Sequence, residues 1–441
     1  MALEFEKMRS VFAQIFPKDG PEEPLPLTII ALKSGKELSE FAPLYKGRPI
    51  HTPGLCQTGP DGNTILLDLS AINIGLIVVH EYGHVMLSRF HDPPPWFNEG
   101  FAGYYSSIRI FNKWAVVGQP PEGFITVLAN EKLLPVTILF SATHSSPLYN
   151  DQENHRSLFY AESWLAVHYL WNNHMQDQLH RYLDLTQHGL APSDAIQQAF
   201  KMTPAEFDKA LEQYWRAGVK DSHLPLPEAP EKARLTVKPV SLLEASAMLA
   251  DVHLHETGYE EQGISEFQKI LKEDPENAAA HRGLGYAYFN RHDFNLAMPH
   301  LDKAAEKNPK DWQVHYYEAL LLAQKQSASA LDEMELEKME KEARQVTELN
   351  PEFAAGYGLL GFALMSQQKS SEAISAYEKA LSLNPANEID ALNLAELYSM
   401  QNRPDRAKPL FLALQNSSNQ TIATAARSHL ELMKTELPKL P

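Results

Sequence analysis

His80-Glu81-Tyr82-Gly83-His84 places two imidazoles four residues apart, with a carboxylate beside the first. On a helix such a pair shares one face, about 6 Å apart along the axis, so both rings can reach one metal ion. Glu81 lies about 100° further round, where it can act as general base toward a water at the ion without ligating it. The stretch from Ile72 to Phe90 that carries these residues is apolar and reads as a buried helix. The third ligand comes from elsewhere. Gly at 87 with His at 90 would mark one class of such sites, but the chain has Leu87 and Phe90, and His91 falls one place off. Glu99, in Pro95-Trp-Phe-Asn-Glu-Gly-Phe-Ala102, is the better candidate. Pro95 suits a helix start, and the turn His91-Asp-Pro-Pro-Pro95 would fold this second helix back antiparallel to the first. Two His and one Glu with an open position make a catalytic zinc set, not a closed structural one. Spacing alone does not separate zinc from cobalt or manganese. An accidental H-E-x-x-H is no rarity among 18 His and 56 acidic residues. Unpaired His and Glu on a buried helix are costly, however. Gly83, which costs about 1 kcal/mol relative to Ala inside a helix, fits a close approach by another helix.

Together, His80-Glu-Tyr-Gly-His84 and Trp96-Phe-Asn-Glu-Gly-Phe-Ala102 resemble the gluzincin zinc metallopeptidases. They are similar to the zinc aminopeptidases, whose third-ligand helix reads W-L-N-E-G-F-A. They are closer still to the bacterial peptidase MA-like domains, often followed by tetratricopeptide repeats. The resemblance covers residues 60 to 218. It implies a mostly helical α+β catalytic domain over 1–219, one zinc per chain on His80, His84 and Glu99, and Glu81 as general base. It also implies an oxyanion donor from a Tyr opening a later helix. Phe159-Tyr-Ala-Glu-Ser-Trp164 supplies Tyr160, whose other reading is a core Tyr on a helix face. In such domains a sheet edge near the metal helix pairs with extended substrate, so Thr64 to Leu69 is expected either to do this or to be core. The segment differs from the aminopeptidases in two ways. Fewer residues separate His84 from Glu99, and Gly59-Pro-Asp-Gly-Asn-Thr64 stands in place of the G-x-M-E-N that holds a free amine. Endopeptidase action on a peptide or protein substrate is therefore favoured. The alternative is a protein-interaction scaffold whose zinc domain is weak or inactive.

The elements that position these residues follow from pattern. Phe5, Met8, Val11, Phe12, Ile15 and Phe16 share one helical face. Leu25 to Leu32 reads as a strand, and Ser34 with Glu37 as a capping box. Gly47 to Asn63, dense in Pro and Gly, reads as loop, and Thr64 to Leu69 as a second strand. The third-ligand helix is expected to run on through Tyr104, Tyr105 and Ile108. Phe111 to Asn150 is less regular, and its loop from Ser141 to Pro147 is expected to shape the cleft. His144, Asp151 and His155 read as surface. Ser157 to Asn172 is a strong helix, with amphipathic segments at 176–187, 191–201 and 203–217; Thr203-Pro204-Ala-Glu206 opens the last with a capping box. Residues 220–240, with Pro225, Pro227, Pro230 and Pro239, read as a semi-rigid linker.

From residue 241 to 441 an all-α tetratricopeptide-repeat solenoid with a capping helix near Thr421 to Leu437 is expected. Pro275 and Pro309 stand one 34-residue period apart, as do Pro351 and Pro385. Leu284, Gly285, Tyr288, Ala297 and Ala304 fit one copy; Tyr357, Leu360, Gly361, Ala373, Tyr377 and Ala380 fit another; Leu394, Ala395, Tyr398, Ala407 and Phe411 fit the next. The copy between Pro309 and Pro351 is longer, with its extra residues expected around Ser327 to Glu333, and the first copy, near 244–277, is degenerate. Such repeats offer a groove for a peptide or protein partner.

The chain's 441 residues, 44% hydrophobic and 22% charged, leave room for two or three globular domains. A net charge of −17 argues against nucleic acid and anionic membrane as partners. Cys56 is the one cysteine, which excludes an intramolecular disulfide; it reads as an inert thiol. No 18-residue apolar run suggests a membrane span, and Met1 to Ser10 lacks the apolar core of a signal peptide. The expectation is a soluble protein, cytoplasmic as written, periplasmic or secreted if an upstream signal was removed.

Overall fold

A computed structural model describes residues 2–15, 25–88, 93–150, 155–226 and 236–435. Two compact units divide the chain: Met1–Pro239 with Glu256–Gly258, and Val240–His255 with Tyr259–Pro441. No described helix is long and apolar enough to cross a membrane.

The first unit begins with α1 (Ala2–Ile15), β1 (Leu27–Leu32), α2 (Gly35–Leu38), β2 (Leu44–Tyr45), β3 (Arg48–Pro49), β4 (Gly54–Thr58) and β5 (Asn63–Asp68). The two central helices follow, α3 (Ile74–Leu87) and α4 (Pro95–Ser106). Then come β6 (Arg109–Ile110), β7 (Trp114–Val117), α5 (Glu122–Asn130), α6 (Val136–Phe140), α7 (Pro147–Asn150), α8 (His155–Asn172), α9 (Gln176–Gln187), α10 (Pro192–Phe200), α11 (Pro204–Arg216) and β8 (Ser222–Pro225).

The first sheet has the order β1-β5-β4, with β1 parallel and β4 antiparallel to β5. This corrects one expectation and decides between two readings of another. Part of the Pro/Gly-rich stretch expected as loop is the strand β4, because pairing with β5 outweighs the local turn signals of Pro53, Gly54 and Pro60. The strand expected either as a substrate edge or as core, β5, is core: it is central, Ile65, Leu66 and Leu67 are fully buried, and the edge near α3 belongs to β4. A second sheet, β6-β7-β8, takes residues 222–225 out of the expected linker. Residues 227–235 of that linker lie outside the described residues.

α3 is shorter than the apolar run, beginning after Asn73, whose backbone is left-handed at φ 61°. Its start is not buried: Ile72 is 87% and Leu76 47% exposed, while Val78, Val79, Tyr82, Val85 and Leu87 face the core. α4 opens with Pro95 as its first helical residue and stops at Ser106, short of Ile108. His91 and Asp92 of the connecting turn lie outside the described residues. Phe5, Met8 and Phe12 of α1 pack into the same core, with the rings of Phe5 and Phe12 edge-on to Tyr82. The stretch 111–150, expected to be irregular, holds β7 and three helices. Ser34 and the Thr203/Glu206 pair cap α2 and α11, although the Glu37 carboxylate returns to the Lys33 N–H instead of that of Ser34.

Within the second unit the described residues form helices only: α12 (Leu242–His255), α13 (Glu260–Glu273), α14 (Ala278–Asn290), α15 (Phe294–Lys307), α16 (Trp312–Ala328), α17 (Glu333–Leu349), α18 (Ala354–Ser366), α19 (Ser370–Leu383), α20 (Glu388–Met400), α21 (Pro404–Leu414) and α22 (Gln420–Thr435). They pack as consecutive pairs, with α22 against α21. Close approach within a pair uses small residues. A Cβ on Gly285 would stand 2.5 Å from Leu301, and one on Gly361 2.9 Å from Tyr377. The long copy does not carry a loop insertion: α16 and α17 each run 17 residues, so the extra length is helix on both sides of a short turn.

Candidate metal centre

α3 and α4 pack closely because Gly83 leaves no side chain between them; a Cβ there would stand 2.8 Å from the Ala102 Cα. This contact brings His80, His84 and Glu99 together, with one ligand atom from each lying within 4.8 Å of the others. Glu99 is 3% exposed, and its Oε2 lies 3.2 Å from His80 Nε2 and 3.7 Å from His84 Nε2. That oxygen is buried without a hydrogen-bond partner. Ligands at about 2.0–2.1 Å from a tetrahedral zinc stand about 3.3 Å from each other, so this donor set fits such an ion.

The flanking hydrogen bonds orient the donors. Asn98, next to Glu99, accepts from His84 Nδ1 at 2.9 Å, which leaves Nε2 as the free lone pair. Tyr149 of α7 donates to Glu99 Oε1 at 2.8 Å, which leaves Oε2 facing the imidazoles. Sequence reasoning missed both residues. Asn98 stood inside the quoted motif; Tyr149, fifty residues from its partner, gave no signal. Burial pushes the Glu99 carboxyl up, but His84, His80 and the Tyr149 hydroxyl outweigh it and hold it at about 2.

Glu81 is buried one residue past His80. Burial pushes its carboxyl up to about 7, against the pull of His84; a divalent ion beside it would bring that down. Gly54 on β4 makes room for it, since a Cβ there would stand 2.8 Å from Glu81 Oε1.

A cleft of about 780 Å³ opens over these residues. It is lined by β4, the β2–β3 hairpin, His144, Ser145, Tyr149, Asn150, Arg156 and Tyr160. The loop from Ser141 to Pro147 thus borders the cleft as expected, with His144 exposed. Asp151 lies outside the described residues. Tyr160, in the first turns of α8, lies nearly parallel to the His80 ring at 6.5 Å. Its hydroxyl accepts from Arg156 Nη2 at 3.2 Å, and its own proton is directed toward the Glu99 carboxylate. Burial and Glu99 push that hydroxyl's pKa well up, so it stays a donor. Cys56 also lines the cleft, and burial raises its thiol above the usual range, which keeps it protonated and unreactive.

A second trio, His315, Glu318 and Glu342, is buried in the repeat unit. It differs in geometry. His315 Nδ1 is 2.6 Å from Glu342 Oε2, too short for two ligands of one tetrahedral ion, and Nε2 donates to the Pro309 carbonyl at 3.0 Å. Both ring nitrogens carry protons, and Lys338 and Lys341 complete an ion-pair network.

Comparison with known proteins bears on the repeats. A tetratricopeptide-repeat family model matches residues 260–321 and 364–428. Small glutamine-rich tetratricopeptide repeat-containing protein 2 of Mycosarcoma maydis is 30% identical over 156 residues, 35% of this chain and 39% of the relative. The chain thus spans well under half the length of that relative. Among solved structures, YrrB, a TPR protein with an unusual peptide-binding site, aligns at 17% identity and a TM-score of 0.36, over 42% of this chain and 90% of its own. MamA from Desulfovibrio magneticus RS-1 aligns at 18% and 0.34, over 42% and 96%. The second unit is a tetratricopeptide-repeat region, and such a region supports the interaction-scaffold alternative. Peptide-bond hydrolysis and the metal rest on geometry alone.

Proposed function

We propose that the chain is a zinc-dependent metallopeptidase of gluzincin type, endopeptidase action favoured, whose repeats bind the substrate or a partner protein. One observation carries the reading: a buried carboxylate oxygen on Glu99 faces the Nε2 atoms of His80 and His84, and Asn98 sets the tautomer of His84. His80, His84 and Glu99 would hold the ion, which when bound supplies Lewis acidity and lowers the pKa of water at the site to about 7. Glu81 takes the proton of the attacking water and returns it to the leaving amine. Tyr160 donates its hydroxyl proton toward the developing oxyanion. The edge strand β4, which borders the cleft, would pair with an extended peptide.

The test is elemental analysis of the purified chain beside Glu99→Ala, followed by hydrolysis of folded and unfolded protein substrates and amino-acid anilides. About one zinc per chain, lost in the variant, with cleavage of proteins, supports the proposal. No metal in either after zinc is added back removes it.

A second reading is favoured by the repeat matches: a scaffold whose repeats hold a peptide or protein and whose first unit has weak or no activity. Partner binding that persists in Glu81→Gln, with no substrate cleaved by the unaltered chain, would favour it.

A further inference from the structure

Arg156 sits in the first turn of α8, four residues before Tyr160, and lines the cleft. Its guanidinium lies 5.3 Å from the centre of the Tyr160 ring. Nη1 donates to the His51 carbonyl and Nη2 to the Tyr160 hydroxyl, each at 3.2 Å. Both acceptors are uncharged. A guanidinium carries five N–H donors, and two are used here. Among the described residues no Asp or Glu stands within ion-pair distance of it. The carboxylates whose charge it feels are Glu81 and Glu99, which the proposed reaction already employs.

A half-buried guanidinium without a counter-ion is costly to hold. The charges of the cleft make the same point. Among the described residues that line it, Glu81 and Glu99 are the carboxylates and Arg156 is the one Lys or Arg. With a divalent ion on the histidines and Glu99, the ion and these described residues together would be net positive, which leaves Arg156 to be neutralised. The chain as a whole is at −17, so an acidic ligand is repelled from a distance. An anchor for it must act at contact range, inside the screening length. A planar fork with free N–H groups is the donor that takes a carboxylate through two parallel hydrogen bonds.

We propose that Arg156 anchors a carboxylate of the substrate, so that the cleft selects peptides bearing one close to the scissile bond. The inference rests on the peptidase reading and narrows its substrate class. The carboxylate has two sources, the peptide's C-terminal group or an Asp or Glu side chain, and both present the same chemistry to the guanidinium.

The test is binding, which does not require turnover. The full chain carrying Glu81→Gln is loaded with zinc, and its metal content is measured. Calorimetry then compares three blocked peptide pairs of one sequence: free acid against C-terminal amide, internal Asp against Asn, and internal Glu against Gln. At least one acid is expected to bind more tightly than its neutral twin by about tenfold or more. Adding Arg156→Met should collapse that ratio toward one while leaving zinc content and thermal unfolding in place. Adding Arg156→Lys, which keeps the charge but not the fork, should restore part of it. The pair that responds identifies the source of the carboxylate. A change in Tyr160 packing would weaken both members of a pair alike and leave the ratio standing. Equal affinities within all three pairs, a ratio that survives Arg156→Met, or no binding of any peptide at millimolar concentration overturns the proposal. Failure of the peptidase reading appears separately, as absent zinc or as no cleavage by the chain with Glu81 intact, and the binding ratio is read in either case.

Discussion

Asn98 Oδ1 stands 2.9 Å from His84 Nδ1, so the residue beside the third carboxylate also sets the tautomer of the second imidazole. One turn of α4 thus carries one candidate donor and holds the ring of another on α3. Asn98→Ala should keep the fold and weaken zinc affinity by about 10–100-fold, measured by competition with a chelating dye. Unchanged affinity would mean that the ring is held by packing alone.

Glu81→Gln should retain about one zinc per chain and lose hydrolysis by about 10²–10⁴-fold, the usual contribution of a positioned base. His84→Ala should lose metal and hydrolysis together. Elemental analysis beside a peptide-cleavage assay reads both. Retained hydrolysis in Glu81→Gln would remove its assignment as the base.

Tyr149→Phe removes the donor to Glu99 Oε1 while leaving the ring in place. Looser zinc, again by about 10–100-fold, is expected with little loss of thermal stability. Tyr160→Phe should show the opposite pattern, unchanged zinc with a lower kcat. Identical behaviour of the two variants would contradict their separate roles.

Gly83→Ala would place a methyl carbon 2.8 Å from the Ala102 Cα, where backbone cannot yield cheaply. The expected cost is about 1–3 kcal/mol from overpacking, less up to about 1 kcal/mol of gained helix propensity. Zinc affinity should fall as α4 is displaced. Thermal unfolding and metal competition on one preparation check both; a more stable variant with unchanged zinc would show that the two helices separate freely.

Glu162 gives a pH dependence away from the candidate metal centre. Its Oε1 accepts from the Leu134 N–H at 2.6 Å, and its Oε2 is buried without a partner. Burial pushes its carboxyl up to about 8, against the pull of that hydrogen bond. The unfolded group titrates near about 4.3. Between those values the native state keeps a proton that the unfolded chain has released, so stability falls as pH rises from about 4 to about 8, by at most about 1.4 kcal/mol per pH unit. Glu162→Gln keeps the acceptor and removes the titration. Thermal unfolding across this window should decline more steeply for the natural chain than for the variant, and parallel declines would refute the shift.

The sequence and the structure agree best where spacing is local. His80 and His84 are fixed by helical period, Glu99 by the short return between two helices, and the repeats by their 34-residue rhythm. Agreement is poorest where partners are distant. β4 was hidden because Pro53, Gly54 and Pro60 carry turn signals, and only the presence of β5 makes the stretch a strand. β8 was hidden in a Pro-rich segment for the same reason. Tyr149 reaches Glu99 across a stretch with no period to predict it, and Arg156 had no motif to mark it.

The tight seats of Gly83 and Gly100 carry a consequence for anyone who would move this centre elsewhere. α4 is gripped on both sides, by α3 at Ala102 and by α8, where a Cβ on Gly100 would stand 2.6 Å from the Val167 side chain. A graft of the two motif helices onto another scaffold would therefore arrive without its clamp. A transplantable cassette would need α8 beside α3 and α4, and a directed-evolution library that leaves α8 free to drift is expected to disturb the donor triangle without touching a donor.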